Sequence, residues 1–297
     1  MTERQSAQEA YERIDVAIRR MEDRTPQLSN ILTAFRELMA QQAAMKADLP
    51  EPGPLEIKVD RAQYTQGVPL LDKQFFAISL DSLRKAAHRL IPALEKGFPN
   101  LHDQLSILRK ALEQTDSEDA LLARSLVTGD GEASRKAAEE LGIDPSVIDF
   151  AGGRLRKPFA EKVASAVPGL PSDIGWLKGY CPLCGSWPEL SYLEGKEGRR
   201  WLRCSFCGHE WPFMRTQCPF CEADNLDDIE IIFQEGRPYE RAELCHACKK
   251  YVVSVDFRDL AYDLPHEVAP LGLVHLDILA QEKGFSPGAV CPWNVLK

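Results

Sequence analysis

Residues 181–221 decide the fold of this chain, and they read CPLCGSWPELSYLEGKEGRRWLRCSFCGHEWPFMRTQCPFC. The stretch contains three Cys-x-x-Cys pairs, and a fourth, Cys245-His-Ala-Cys248, follows it. Each such pair is typical of a knuckle, in which two sulfur atoms converge on one ion, and a tetrahedral metal site needs two knuckles. Four knuckles therefore predict two metal sites with four cysteine ligands each.

The four knuckles can join in sequence or in a nested order, because only ten residues separate Cys207 from Cys218. Hairpin signals favour the sequential order, since a β-hairpin returns the chain to the place it left. The predicted hairpins pair residues 191–193 with 200–202, and 229–233 with 239–244. The predicted first site is Cys181, Cys184, Cys204 and Cys207, and the predicted second site is Cys218, Cys221, Cys245 and Cys248.

Other uses of Cys-x-x-Cys pairs fit the sequence less well. Covalent haem needs a His directly after the second cysteine, where this chain has Gly185, Gly208, Glu222 and Lys249. A thioredoxin-like dithiol is a single pair within a βαβ unit, whereas this chain has four pairs among hairpins. Cysteines that bind iron–sulfur clusters often come in tighter runs, although the number of ligands alone leaves such a cluster open. One metal ion per four thiolates is favoured, and a tetrahedral set of sulfurs accepts iron or zinc.

Three further residues near this region are not needed to complete either site. Cys291 has no partner at knuckle spacing, and we interpret it as an ordinary packed thiol. His209 and His246 neighbour knuckles, and we interpret them as surface residues or as residues that support the ligands.

The first ~170 residues predict a run of helices, because apolar residues recur at three- and four-residue spacing. Leu83, Leu90 and Leu94 mark one helix, and the series from Leu101 to Leu112 marks another. Three prolines in Leu49–Pro54 predict an irregular connection over residues ~47–72. A Pro/Gly linker at Val167–Ser172 ends the helical half. The predicted domains are residues 1–170, helical, followed by two small metal-binding β modules, 171–215 and 216–297 with a C-terminal tail.

Composition places the chain among soluble globular proteins. It has 297 residues, 44% of them hydrophobic, and a formal net charge of −9. All nine cysteines lie after residue 180, which is unlike a secreted disulfide framework. No apolar run reaches the ~18 residues of a spanning helix, and the first residues lack the apolar segment of a secretory signal. We expect a cytoplasmic protein without membrane insertion.

The motifs favour protein recognition over catalysis. A four-cysteine site leaves no ligand position for a substrate, and the sequence has no phosphate-binding loop, Gly-x-Ser-x-Gly or His-Glu-x-x-His, so we predict no enzymatic activity. Residues 176–297 carry 13 basic and 18 acidic side chains, the opposite of a duplex-binding surface. We interpret the basic group Lys196, Arg199, Arg200 and Arg203 as a solvated hairpin face. A ribbon protein that binds nucleic acid or assists transcription is the alternative function.

The same residues resemble a known family. The run Cys181-Pro-Leu-Cys-Gly-Ser186, then Arg200-Trp-Leu-Arg-Cys-Ser-Phe-Cys207, Glu210-Trp211, Arg215 and Cys218-x-x-Cys221, resembles the FdhE family of formate dehydrogenase accessory proteins. The resemblance extends in character over the helical half and the tail.

The resemblance implies a multidomain α+β architecture, with an α-helical domain followed by two rubredoxin-like or zinc-ribbon modules. It implies iron as the favoured metal, in two mononuclear four-cysteine sites, with zinc as the alternative. It also implies a cytoplasmic role in the maturation of formate dehydrogenase, by binding of its catalytic subunit before export.

Overall fold

The computed structural model of this chain describes residues 3–53, 57, 59–167 and 175–294. The residues form two compact units. A helical unit comprises Met1–Pro52, Lys73–Val163 and Pro292–Lys297, and a sheet unit comprises Gly53–Asp72 and Ala164–Cys291. Helices in the N-terminal part, followed by β structure that carries two four-cysteine groups, confirm the predicted fold class.

Eight helices precede the strands in the described residues. They are α1 (Glu3–Arg24), α2 (Ser29–Asp48), α3 (Arg61–Thr65), α4 (Leu80–Gly97), α5 (His102–Glu113), α6 (Leu121–Thr128), α7 (Gly131–Leu141) and α8 (Pro145–Ser165). Gly129 and Gly142 end α6 and α7 in the left-handed conformation, as their positions in the sequence predict. α3 belongs to the sheet unit, and the other seven helices belong to the helical unit except for residues 164–165 at the end of α8.

The helical unit is held by the apolar stripes that the sequence predicts. Leu83, Leu90 and Leu94 of α4 are fully buried, which confirms their assignment to a helix-on-helix core. Three aromatic rings pack together in this core. The ring centroid of Phe98 lies 5.0 Å from that of Phe35 and 5.2 Å from that of Phe150. The core of this unit therefore forms without any contribution from the cysteines.

The connection over residues ~47–72 is not wholly irregular, and this part of the prediction is wrong. It contains α3, which begins where the side chain of Asp60 accepts hydrogen bonds from the backbone N–H groups of Ala62 and Gln63, at 3.0 and 3.1 Å. The prolines at 50 and 52 precede this cap, so they do not interrupt the helix.

The sheet unit is built on seven strands. They are β1 (Pro188–Glu194), β2 (Arg199–Cys204), β3 (Glu210–Pro212), β4 (Ile229–Phe233), β5 (Glu240–Cys245), β6 (Lys250–Asp256) and β7 (Ser286–Pro287), with α9 (Ala269–Gly272) and α10 (Val274–Glu282) before the last strand. β1 pairs with β2 and β4 pairs with β5, both antiparallel, which confirms the two predicted hairpins.

Both hairpins lie in one sheet, with strand order β3-β2-β1-β6-β5-β4 and β7 paired with β6. The join is a parallel pairing of β1 with β6, in which Ser191 is the partner of Ser254. The predicted domain boundaries after residues 170 and 215 state which segments fold independently, and they stay predictions. Most of the predicted linker at Val167–Ser172 lies outside the described residues.

Within the part of the chain that the structure describes, every helix is too short or too polar to cross a membrane.

Candidate metal centres

Each Cys-x-x-Cys pair forms a tight turn closed by one backbone hydrogen bond. The N–H of the residue after the second cysteine donates to the C=O of the first cysteine in all four turns, at distances of 2.8–3.2 Å. Further N–H groups point at sulfur, with Leu183 N 3.4 Å from Cys181 Sγ and Phe220 N 3.4 Å from Cys218 Sγ. These donors are placed to stabilise a thiolate, as in sulfur-ligated metal sites.

The fold brings the eight predicted cysteines together as two groups of four. Within each group the sulfur atoms all lie within 4.8 Å of one another. Cys181 Sγ lies 3.7 Å from Cys207 Sγ, and Cys184 Sγ lies 3.5 Å from Cys204 Sγ. In the second group, the Cys218 to Cys248 and the Cys221 to Cys245 sulfur distances are 3.8 and 3.6 Å. We call the groups site 1 and site 2.

These distances fit a tetrahedral metal ion. A sulfur-to-metal bond of about 2.3 Å places the sulfurs of a regular tetrahedron about 3.8 Å apart. Disulfide sulfurs lie only about 2.05 Å apart, and none of the nine cysteines is paired in this way. Four sulfurs at tetrahedral spacing are therefore a donor set suited to one iron or zinc ion per site.

The backbone conformation after each second cysteine is left-handed. Gly185 and Gly208 of site 1 have φ of 74° and 66°, a region that glycine occupies readily. The matching positions in site 2 are Glu222 and Lys249, with φ of 62° and 58°. A side chain at such φ costs roughly 1–2 kcal/mol, so the turns of site 2 are strained where those of site 1 are relaxed.

The two sites also differ in exposure. All four cysteines of site 1 are buried, whereas Cys221 of site 2 is exposed and Cys248 is half-buried. Burial raises the pKa of the Cys181 thiol well above its usual value, and it raises the pKa of Cys248 to about 11. A bound divalent cation reverses this effect because it stabilises the thiolate form. Four thiolates held this close would therefore need a cation between them, whereas four neutral thiols would not.

Residues from the segment before α4 cover the first knuckle. The N–H groups of Leu70 and Leu71 donate to the carbonyl groups of Pro182 and Leu183, both at 2.9 Å. Tyr180 Oη donates to the carbonyl of Gly67 at 2.7 Å. Sequence reasoning missed this contribution because residues 67–71 carry no cysteine and no periodic pattern.

The basic group on the first hairpin is only partly solvated, and its interpretation as a solvated face is wrong for two members. Arg200 and Arg203 are 2% and 4% exposed. Arg203 Nη1 donates to Glu189 at 2.8 Å, and Arg200 Nη2 donates to Glu243 of β5. Each buried cation is thus paired with a carboxylate that is only slightly exposed, and such pairing is the usual condition for burying a charge.

The three residues left outside the predicted sites have other surroundings. His246 is exposed, and its Nε2 lies 3.0 Å from a carboxylate oxygen of Glu230. The half-buried ring of His209 is nearly parallel to that of Trp211, and their centroids lie 6.5 Å apart. Cys291 is buried, with its sulfur 3.8 Å from the carbonyl of Ala289. In the described chain, none of the three joins a four-cysteine group.

Known proteins match this chain in sequence. A family model described as the FdhE central domain matches residues 180–215, which include site 1. An FdhE homologue of Aquifex aeolicus is 35% identical over 113 residues, which are 37% of this chain and 40% of the relative. An FdhE homologue of Glaesserella parasuis is 27% identical over 267 residues, which are 87% of this chain and 82% of the relative. The match thus spans well under two thirds of the first relative and most of the second.

A solved structure has the same fold. The crystal structure of the FdhE protein from Pseudomonas aeruginosa superimposes with a TM-score of 0.62, covering 97% of this chain and 96% of that chain at 21% identity.

Proposed function

We propose that this chain is a member of the FdhE family and an accessory protein that formate dehydrogenase requires for its maturation or activity. The match over residues 180–215 and the similarity to an FdhE homologue along 87% of the chain support this role. We further propose that the chain binds the catalytic subunit of formate dehydrogenase in the cytoplasm, before that subunit is exported.

The observation that carries the proposal is the pair of four-cysteine groups at tetrahedral spacing in this fold. We propose that Cys181, Cys184, Cys204 and Cys207 hold one ion and that Cys218, Cys221, Cys245 and Cys248 hold another. Bound iron would supply one-electron redox capacity, whereas zinc would serve structure alone. Four protein sulfurs fill each tetrahedron, so neither centre offers a substrate a ligand position, and we propose that the chain is not an enzyme.

A pull-down of the catalytic subunit tests the binding step. Tagged wild-type protein, Cys204→Ser and Cys291→Ser are compared in the native host. We expect wild type and Cys291→Ser to retain the subunit, and Cys204→Ser to lose most of it, because metal binding at such a site supplies much of the local folding energy. Equal recovery with all three proteins would contradict a role for site 1, and recovery with none would contradict the partner.

A deletion strain tests the function as a whole. We expect loss of formate dehydrogenase activity in a host without a paralogue, with activity restored by the wild-type gene. Full activity in the deletion strain, together with tight and salt-sensitive binding of the purified protein to DNA or RNA, would favour the nucleic-acid alternative.

A further inference from the structure

Strand β4 lies at one edge of the sheet. It pairs with β5 on one side, and in the described residues no strand pairs with its other side. An edge strand presents unpaired backbone N–H and C=O groups, which are a template for the addition of another strand. The opposite edge is formed by β3, which has only three residues. The five residues of β4 therefore offer the longer edge.

The side chains on this edge strand are unusually apolar for a solvent-exposed surface. Ile231 and Phe233 are 52% and 53% exposed, and Leu226, which precedes the strand, is 65% exposed. Ile231 and Phe233 are two residues apart, so they lie on the same face of the sheet. Exposed apolar side chains grouped in this way mark interaction sites more often than scattered ones do.

Acidic residues flank these apolar residues along the chain. Residues 222–235 contain six carboxylates and no Lys or Arg. Two of the six have basic partners, since Glu222 lies 2.9 Å from Lys178 and Glu230 lies 2.7 Å from Lys283. In the described chain, the other four form no ion pair; they are Asp224, Asp227, Asp228 and Glu235.

Two cations near the strand are already engaged elsewhere, so they form no ion pair with these four carboxylates. Arg241, opposite Phe233 on β5, lies 3.4 Å from Asp256 and donates to the carbonyl of Pro238. Arg237 lies 3.5 Å from Glu240. The surface therefore carries uncompensated negative charge at both ends of β4, with Asp227 and Asp228 before the strand and Glu235 after it.

We propose that the β4 edge, defined as Ile231 and Phe233 with the carboxylates Asp224, Asp227, Asp228 and Glu235, binds an extended basic segment of a partner protein. The segment adds a strand to β4 over about 17 Å, the length of five extended residues. It carries apolar residues at alternate positions, which contact Ile231 and Phe233, and Lys or Arg at both ends. This inference goes beyond the proposed function, because it holds for any partner that has such a segment.

The negative charge of the β4 edge favours a basic polypeptide over a second copy of this chain, nucleic acid or anionic lipid. Antiparallel pairing of β4 with β4 of a second copy would bring Asp227 and Asp228 of one chain beside Glu235 of the other, and like charges directly opposite are destabilising. Nucleic acid and anionic lipid would meet the same repulsion. A basic polypeptide is the occupant whose charge complements the edge.

The test uses the full-length, metal-loaded protein and two labelled nine-residue peptides. Both peptides have the centre Val-Thr-Val-Thr-Val, flanked on each side by Lys-Arg in one and by Glu-Glu in the other. We expect saturable binding of the basic peptide in fluorescence anisotropy, weakened by salt, and no binding of the acidic one. Hydrogen exchange of residues 229–233 should slow when the basic peptide is bound.

Matched variants locate the site. We expect Asp227→Lys with Asp228→Lys to weaken binding about tenfold, whereas Glu197→Lys, on the exposed turn between β1 and β2, leaves it unchanged. Phe233→Ser should weaken binding, and Leu177→Ser, at another exposed apolar residue, should not. Absence of saturable binding up to about 1 mM peptide, equal effects of the Asp227/Asp228 pair and Glu197, or salt-resistant self-association through β4 would each overturn the proposal.

Discussion

At the scale of single residues, the two metal centres are built on the same turn with different side chains. Site 1 uses Gly185 and Gly208 at its left-handed positions, and site 2 uses Glu222 and Lys249. Site 2 also exposes Cys221, whereas all four sulfurs of site 1 are buried. The backbone strain at Glu222 and Lys249 and the exposure of Cys221 to solvent both favour opening of the site 2 turns.

This difference predicts that site 2 releases its metal first. With zinc-loaded protein and a chromogenic chelator, we expect two kinetic phases of equal amplitude, the faster one from site 2. Cys221→Ser should remove the faster phase. Lys249→Gly should slow that phase because it relieves the left-handed strain, while Cys291→Ser, outside both sites, leaves the two phases unchanged. A single phase for two ions would show that the sites exchange alike.

Asp256 is a buried carboxylate of the sheet unit whose ionised form stabilises the fold. Its side chain is fully buried, and Arg258 donates to it from Nε and Nη2 at 2.8 and 2.7 Å. These hydrogen bonds hold the pKa of Asp256 below its usual range. The stabilisation is therefore present above the unfolded-state pKa of about 3.9 and is lost as the pH falls through the lower folded-state pKa.

We expect Asp256→Asn to lower the free energy of unfolding by about 1–3 kcal/mol at neutral pH, because it weakens the charge-assisted hydrogen bonds that a buried carboxylate accepts from Arg258. The difference from wild type should shrink as the pH falls below about 5, because the unfolded-state carboxyl becomes protonated before the native one does. Urea unfolding across this range checks the prediction. Asp259→Asn, at an exposed neighbour, is the control, and a constant difference at all pH values would contradict the assignment.

At the scale of elements, a buried polar group ties the two hairpins together. Arg200 of β2 donates from Nε to Ser191 Oγ of β1 at 2.9 Å and from Nη2 to Glu243 of β5. Ser191 Oγ in turn donates to Glu243 at 3.0 Å. The same guanidinium donates to the carbonyls of Met214 and Gln217, in the segment that leads from β3 to site 2. One side chain thus fixes the position of both halves of the sheet.

Arg200→Met is expected to lower the free energy of unfolding of the sheet unit by about 3 kcal/mol, since it leaves the largely buried Glu243 carboxylate without its cation. Arg199→Met, at the exposed neighbour whose guanidinium lies over the Trp201 ring, should have an effect of at most about 1 kcal/mol. A double-mutant cycle with Glu243→Gln measures the coupling by urea denaturation. Additive effects of the two changes would mean that the pair does not hold the hairpins together.

At the scale of the whole molecule, the chain contains two compact units with different sources of stability. The helical unit has its own apolar core, around Leu83, Leu90 and Phe35, with no cysteine among its described residues. The sheet unit carries both candidate metal centres, and the two hairpins that bring the cysteines together belong to one continuous sheet. Metal binding at such sites contributes directly to folding free energy.

We therefore expect removal of both metals, or Cys181→Ser, to loosen both halves of the sheet while the helices of the helical unit persist. Hydrogen exchange should rise in β1 and also in β6, because these strands pair with each other. Elemental analysis of the untreated protein should give two ions per chain. Loss of the helical signal in far-UV circular dichroism on chelation would show that the two units unfold together.

The sequence alone determined the features that depend on residues close along the chain. The Cys-x-x-Cys spacing and the intervening β segments predicted two groups of four sulfurs, and leucine periodicity predicted the buried stripes of α4 and α5. Hairpins, helix ends and knuckles are local, so short stretches of sequence carry their signals. The left-handed turns at Glu222 and Lys249 were not predicted, because their side chains give no sign of that conformation.

Only the tertiary structure decided how these local pieces combine. The parallel pairing of Ser191 with Ser254, the cover that Leu70 and Leu71 give the first knuckle, and the burial of Arg200 against Glu243 all join residues far apart in the chain. Parallel strands are not joined by a short turn, so no turn signal in the sequence identifies which strands pair. A buried arginine and an exposed one also look the same in a sequence. Such contacts arise from the packing of the whole sheet unit, and they leave no pattern in any short stretch of sequence.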